Sequence, residues 1–181
     1  MENKAFDWQL ARAHTMNYGA LVGIMCSISF LCSMYGLQSP SLGLISNVLA
    51  LLAFIVAGRC IRSFSNNIQP TRFGQACWMA FNIFLYAILI TALVQFLYFT
   101  YLDQGRLATQ MQHITATPEY RQLLEQMVPD GNADEIIKTA ISITSSPARA
   151  TSQLLWMNCF MALLLIIPTA LIGITGKKQQ G

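Results

Sequence analysis

The segment from residue 130 to residue 134 carries residue types that could bind calcium. It reads DGNAD, and oxygen ligands at alternate positions begin the calcium-binding loop of EF-hand proteins. That loop then requires a glycine at its sixth position and a bidentate glutamate at its twelfth, where this chain has Glu135 and Ile141. The pattern therefore argues against calcium, and we expect this segment to cap a helix instead.

The other residues that could bind a metal or take part in catalysis have no suitable neighbours in the sequence. His14 and His113 have no neighbouring ligand set, and no CxxC pair, HExxH sequence, nucleophile elbow, glycine-rich phosphate loop or basic patch is present. We therefore predict no metal, no cofactor, no nucleic-acid partner and no enzymatic activity. The cysteines all lie in or beside apolar segments and are expected to be unpaired thiols: Cys26, Cys32, Cys60, Cys77 and Cys159.

A stripe of uncharged polar residues recurs at near-helical spacing within the apolar segment 73–102. Its members are Asn82, Tyr86, Thr91 and Gln95. Polar side chains in a lipid-embedded helix either join helices by hydrogen bonds or line a pathway. Both alternatives are open, and the absence of an ionisable member favours helix packing.

Small residues form a second candidate surface, because Gly19 and Gly23 are four residues apart and Ser27 follows one turn later. Such a spacing leaves a groove that lets another helix approach closely. The groove packs either against a helix of the same chain or against a second copy of the protein.

The element that must position the polar stripe is a membrane span. Phe73 to Leu102 is a run of 30 residues without Asp, Glu, Lys or Arg, whereas a bilayer core roughly 30 Å thick needs about 20 helical residues. The composition agrees, with 54% hydrophobic residues, 10% charged residues and a mean hydropathy of +0.46.

Four such spans account for the chain. The uncharged run from Ala13 to Gly58 is long enough for two passes, with a hairpin at Gln38 to Ser41 where Pro40 interrupts helical bonding. We predict an all-α, four-span transmembrane helical bundle that forms a single membrane domain over residues 1–181. The spans are expected at about 18–37, 42–58, 74–101 and 154–174, and the residues before Ala13 along the headgroups.

Positive charge predicts the orientation. Arg59, Arg62 and Arg72 lie in one short connection, and Lys177 and Lys178 follow the last span. Basic residues are enriched on the cytoplasmic side of membrane proteins. We therefore predict that both termini are cytoplasmic.

The polar segment 103–147 is then extracytoplasmic. Asp103, Thr117 followed by Pro118, and Asn132 with Glu135 three residues later are helix-start signals. The short amphipathic helices that follow are too few to bury their own core, so their apolar faces should lie on the membrane or on a partner. Leu124 and Ile137 represent those faces.

Several short motifs together resemble a known family. They are Tyr18-Gly19-x-x-x-Gly23, Arg59 to Arg62, Arg72 to Ala76, Tyr98-x-x-Tyr101-Leu102-Asp103 and Ser146-Pro147. In order and spacing they resemble the bacterial membrane family catalogued as domain of unknown function 4199. The resemblance covers nearly the whole chain and implies a four-span protein of the bacterial inner membrane, with no assigned activity.

The leading hypothesis is a non-enzymatic interaction or accessory protein that contacts the lipid bilayer and either a membrane-protein partner or further copies of itself. The alternative is a small transporter or channel component for a neutral solute or lipid, with the polar stripe as its pathway. No ionisable residue lies within the predicted spans, which argues against ion coupling.

Overall fold

The computed structural model describes residues 6–36, 39–127 and 133–174. It is 90% helical, and the described residues contain no strand. A π-helical turn, Tyr98–Leu102, continues α3. The α-helices are α1 (Trp8–Gly36), α2 (Pro40–Asn67), α3 (Phe73–Leu97), α4 (Arg106–Thr115), α5 (Pro118–Met127), α6 (Ala133–Thr144) and α7 (Pro147–Ile174).

Four of these helices are long and apolar enough to cross a membrane: α1, α2, α3 with its π-helical turn, and α7. The prediction of an all-α protein with four long apolar helices is confirmed. The chain divides into two compact units, Met1–Leu93 with Met157–Gly181, and Val94–Trp156. We call them the span unit and the insert unit. That residues 1–181 form a single membrane domain remains a prediction.

The helices extend beyond the predicted spans. α1 begins at Trp8, so most of the segment expected along the headgroups contributes the first turns of a helix, and its position along the headgroups stays a prediction. The Asp7 carboxylate caps this helix by accepting hydrogen bonds from the backbone N–H groups of Gln9 and Leu10, both at 3.0 Å. α2 continues to Asn67, because a charged residue ends an apolar run without interrupting backbone hydrogen bonding.

α1 and α2 form a hairpin that a reciprocal serine pair holds together. The Ser29 hydroxyl donates to the Ser46 carbonyl oxygen at 2.9 Å, and the Ser46 hydroxyl donates to that of Ser29 at 2.8 Å. Both serines are buried. Near the hairpin turn, a Cβ built on Gly36 would lie 2.7 Å from the Gly43 nitrogen, so the two backbones nearly touch. Apolar burial cannot drive helix association in lipid, and these close contacts replace it.

Aromatic rings close the opposite end of the span unit, where α1 begins and α2 ends. The Trp8 and Trp78 rings meet edge to face with centroids 5.1 Å apart, and Phe6 lies 5.9 Å from Phe64. His14 packs on the same Phe64 ring at 5.3 Å. Such ring pairs add to the area that they bury, and they link α1 to both α2 and α3.

Small residues also bring α2 and α7 together. A Cβ built on Gly58 would lie 2.7 Å from Ile172 Cγ2, and one built on Gly173 would lie 2.5 Å from Ile61 Cγ2. The Thr169 hydroxyl donates to the Leu165 carbonyl oxygen at 2.6 Å, within the helical turn that Pro168 leaves one hydrogen bond short. α7 continues through Pro168 to Ile174 despite this missing bond.

In the insert unit, α4 contacts α5 and α6, and α5 contacts α6. Two left-handed residues, Gln104 and Gly105, separate α4 from the π-helical turn. The Asp103 carboxylate accepts a hydrogen bond from the Leu107 N–H at 3.2 Å in the first turn of α4, while Gly105 occupies the N-cap position itself. The Thr117 hydroxyl donates to the Ile114 carbonyl oxygen, and its capping of α5 stays a prediction. The predicted capping box at Asn132 lies outside the described residues.

We predict that removing the serine pair weakens the α1–α2 hairpin. Each of Ser29→Ala and Ser46→Ala should lower the free energy of unfolding by about 0.6 to 1.7 kcal/mol, the range of hydrogen bonds between membrane helices. Equilibrium unfolding in mixed micelles measures this. The double variant should cost less than the sum of the single variants, because the two hydroxyl oxygens also lie 3.1 Å apart and either single substitution removes this shared contact.

Ser152, which is exposed on α7, provides the control. Ser152→Ala should leave the free energy of unfolding within about 0.5 kcal/mol of the parent value. Effects of Ser29→Ala and Ser46→Ala no larger than that of Ser152→Ala would contradict the pairing.

Candidate helix-packing and interaction sites

The small-residue groove of α1 is filled by α3 of the same chain. A Cβ built on Gly19 would lie 2.7 Å from Tyr86 Cβ and 3.0 Å from the Ile83 carbonyl oxygen. One turn on, a Cβ at Gly23 would lie 3.0 Å from Ile90 Cβ and 3.1 Å from Ala87 Cα. Only glycine leaves room for this approach, so the groove is occupied within the span unit.

The groove and the polar stripe meet at Thr91. Its hydroxyl donates to the Ala87 carbonyl oxygen of its own helix at 2.8 Å and approaches the Gly23 carbonyl oxygen of α1 at 3.3 Å. The Ser27 hydroxyl also donates to the Gly23 carbonyl oxygen, at 2.7 Å. The Gly23 carbonyl oxygen therefore accepts from Ser27 and competes with the Ala87 carbonyl oxygen for the single proton of the Thr91 hydroxyl.

The remaining members of the stripe are also largely buried. The Asn82 amide donates to the Trp78 carbonyl oxygen of its own helix at 2.8 Å. Gln95 is 3% exposed, and its Oε1 has no hydrogen-bond partner among the described residues. Two of the four stripe residues, Asn82 and Thr91, thus donate to backbone carbonyl oxygens of their own helix, as packing residues do.

Tyr86 has a second role, as a partner for an arginine. The Arg12 Nε donates to the Tyr86 hydroxyl oxygen at 3.4 Å, while the arginine itself remains exposed. Arg12 was not among the residues that the sequence singled out. A basic residue one to two turns before the Gly19 groove, with a tyrosine on the facing helix, is the signal that could have indicated it.

Sequence reasoning also missed the Ser29–Ser46 pair and the α2–α7 contact at Gly58 and Gly173. Each consists of small residues on separate helices, and a single residue of this kind has no recognisable spacing. These contacts form only when the two helices pack in one particular alignment. The order of residues along the chain does not specify that alignment.

The predicted interaction residues of the insert unit are partly described. Ile137 is half-buried on α6, and the side chain of Leu124 lies outside the described residues. Their neighbours are exposed: Leu123 on α5 is 58% exposed and Ile136 on α6 is 42% exposed. Both helices are amphipathic, and the exposure of Leu123 and Ile136 leaves part of their apolar surface uncovered by the other helices.

Within the described residues, no group of three or more His, Cys, Asp or Glu side chains could hold a metal ion. The ring of His14 packs beside Tyr18 with centroids 4.8 Å apart, and its Nε2 lies 3.4 Å from the Cys60 carbonyl oxygen. This histidine joins α1 to α2. Most of the calcium-like segment 130–134 lies outside the described residues.

We predict that Gly19→Leu destabilises the span unit by about 1 to 3 kcal/mol, because the new side chain must displace Tyr86 or the α3 backbone. Equilibrium unfolding in mixed micelles measures the change. Gly74→Leu is the matched control on α3, where an added Cβ meets nothing within 4 Å, and it should change stability by no more than about 0.5 kcal/mol. Equal effects of the two substitutions would contradict the close approach.

Comparison with known proteins gives a family and no activity. No curated protein and no solved structure matches this chain. The family model described as "Protein of unknown function (DUF4199)" matches residues 17–173, which contain both glycines of the groove, the whole polar stripe and the insert. The chain is therefore a member of the DUF4199 family, with four helices that are able to span a membrane.

Proposed function

We propose that this protein is a non-enzymatic interaction or accessory protein of the cell's inner membrane, and that its insert unit contacts a membrane-protein partner. The observation that carries the proposal is the exposure of Leu123 and Ile136 on short helices outside the candidate spans. Family membership is compatible with this role but assigns none.

Exposed apolar side chains have different meanings in the two units. On the long helices they are expected, because lipid is their solvent. The short helices α5 and α6 carry polar and charged residues as well, so they suit an aqueous or interfacial setting. Apolar side chains that remain exposed there typically mark a protein or membrane contact.

A partner is therefore more plausible at the insert unit than at the small-residue groove. Gly19 and Gly23 already lie against α3, and a second copy of the chain would have to displace that helix. The insert helices need no such rearrangement. An association through α5 and α6 leaves the packing of the span unit unchanged.

The transporter alternative draws less support. Asn82 and Thr91 bond to carbonyl oxygens of their own helix, so those groups are not free to replace the hydration shell of a solute. Gln95 Oε1 differs from these groups, because it is buried without a hydrogen-bond partner among the described residues. One unsatisfied acceptor does not make a continuous pathway.

The proposed orientation follows from charge. The exposed side chains of Arg59, Arg62 and Arg72 lie where α2 ends and α3 begins, and basic residues favour the cytoplasmic side. With four passes, both termini are cytoplasmic and the insert unit is extracytoplasmic.

We predict that a photocrosslinking amino acid at position 123 captures one defined membrane protein in living cells, identified by mass spectrometry. Ile136→Asp should reduce that capture at least several-fold, because a charge on the neighbouring helix would be desolvated at the contact. The expression level of the protein should not change, since Ile136 is exposed.

Two exposed polar positions provide matched controls. A crosslinker at position 122 on α5 should capture less of the same protein, and Lys138→Asp on α6 should leave capture from position 123 intact. Recovery of only lipid, or only of the protein itself, would contradict the partner proposal.

For the orientation, we predict that a reporter active only outside the cytoplasm is silent when fused after Asn66 and active when fused after Ser145. Both residues are exposed beside helix ends, so the fusions should disturb the fold little. The reverse pattern would overturn the proposed topology.

A further inference from the structure

A cavity of about 170 Å³ lies inside the span unit. Each of the four long helices contributes to its lining, through Val22 of α1, Ala53 of α2, Ala87 of α3 and Ala162 of α7 among others. Three of these four residues are alanines. Small side chains at the point where four helices face one another leave space that no helix fills.

The cavity lies at mid-length along every one of these helices. Val22 is the central residue of α1, and Ala53 and Ala87 stand at the middle of α2 and of Phe73–Leu102. Met161, another lining residue, is at the middle of α7. A helix that crosses a bilayer places its middle near the bilayer centre, so all four helices put the cavity at the depth where acyl chains end.

Two lining residues near the helix midpoints are exposed, Ala50 of α2 and Met161 of α7. Further along the same helices, α2 and α7 are in tight contact at Gly58 and Gly173. We infer from the exposure of Ala50 and Met161 that the cavity is reached from the surrounding medium on the side of α2 and α7.

The lining is unsuitable for water or ions. It contains no charged residue, and the hydroxyl of Thr91 already donates to a carbonyl oxygen. The other polar lining residues are Cys26, whose thiol is a weak hydrogen-bonding group, and Asn158, which is half-buried. Apolar cavities of roughly 150 Å³ stay dry in proteins and accept molecules the size of benzene.

We propose that this cavity binds the terminal segment of a lipid acyl chain, which enters from the bilayer between α2 and α7. The depth, the lateral opening and the apolar lining all match a hydrocarbon chain end and exclude a headgroup. Atoms that line an empty void lack dispersion contacts on one side, and a chain end of a few carbons supplies them. This inference concerns the span unit and does not rest on the proposed partner of the insert unit.

The test uses the full-length protein in phosphatidylcholine vesicles that contain a trace of a photoreactive phospholipid. One lipid carries a diazirine at the chain terminus, and a second carries it near the headgroup. After irradiation, mass spectrometry maps the label. We call the buried lining residues, such as Val22 and Ala87, the cavity floor. The chain-terminal probe should label the cavity floor at least fivefold more than the headgroup probe does.

Two variants of α2 make the test specific. Ala50→Phe narrows the opening and should reduce floor labelling at least fivefold, whereas Val48→Phe adds a ring at an exposed position outside the lining and should leave labelling unchanged. Thermal unfolding of each variant in the same vesicles verifies the fold, and Ala50→Leu replaces Ala50→Phe if the latter is destabilised. Equal floor labelling in the parent and the narrowed variant would overturn the proposal, as would label confined to lipid-facing side chains such as Leu51.

Discussion

The close approach of α1 to α3 at Gly19 and Gly23 is the contact on which the span unit depends. In lipid, an apolar helix gains nothing by leaving one apolar surrounding for another, so association relies on dispersion and on the few available hydrogen bonds. A glycine pair permits both at once, because backbones that nearly touch bring the Gly23 carbonyl oxygen within reach of the Thr91 hydroxyl on the facing helix. The serine pair of α1 and α2 and the glycines of α2 and α7 follow the same principle.

These contacts are unevenly distributed along the helices. The aromatic rings and the contacts at Gly58 and Gly173 lie toward the end of the span unit where α1 begins, while alanines at the helix midpoints leave a cavity. The insert unit differs in the apolar surface that it leaves exposed. Its short amphipathic helices contact one another and still present Leu123 and Ile136 outward. The span unit is thus built for internal packing, and the insert unit is the part that suits recognition.

The architecture could be predicted from the sequence because the strongest signals are one-dimensional. Thirty uncharged residues from Phe73 specify a long apolar helix whatever surrounds it, and Asp103 signals the nearby start of α4, where its carboxylate accepts a hydrogen bond from the Leu107 N–H. Helix ends were less predictable. Arg59 and Arg62 end an apolar run, yet α2 continues to Asn67. Hydropathy indicates whether a segment prefers lipid or water, and it does not indicate where backbone hydrogen bonding stops. Contacts such as Ser29 with Ser46 depend on how two helices are aligned, and no local pattern encodes that alignment.

The π-helical turn at Tyr98–Leu102 has a consequence for how this chain can change in length. Its wider loop, closed by the Asp103 N–H bonding to the Tyr98 carbonyl oxygen at 2.9 Å, accommodates one residue more than an α-helical turn would. Deleting one residue there would restore a regular α-helical turn without the rotation of about 100° that a deletion inside a regular α-helix causes. Asp103 would then keep its orientation toward the start of α4. The turn is therefore a place between α3 and α4 where the chain can change in length by one residue.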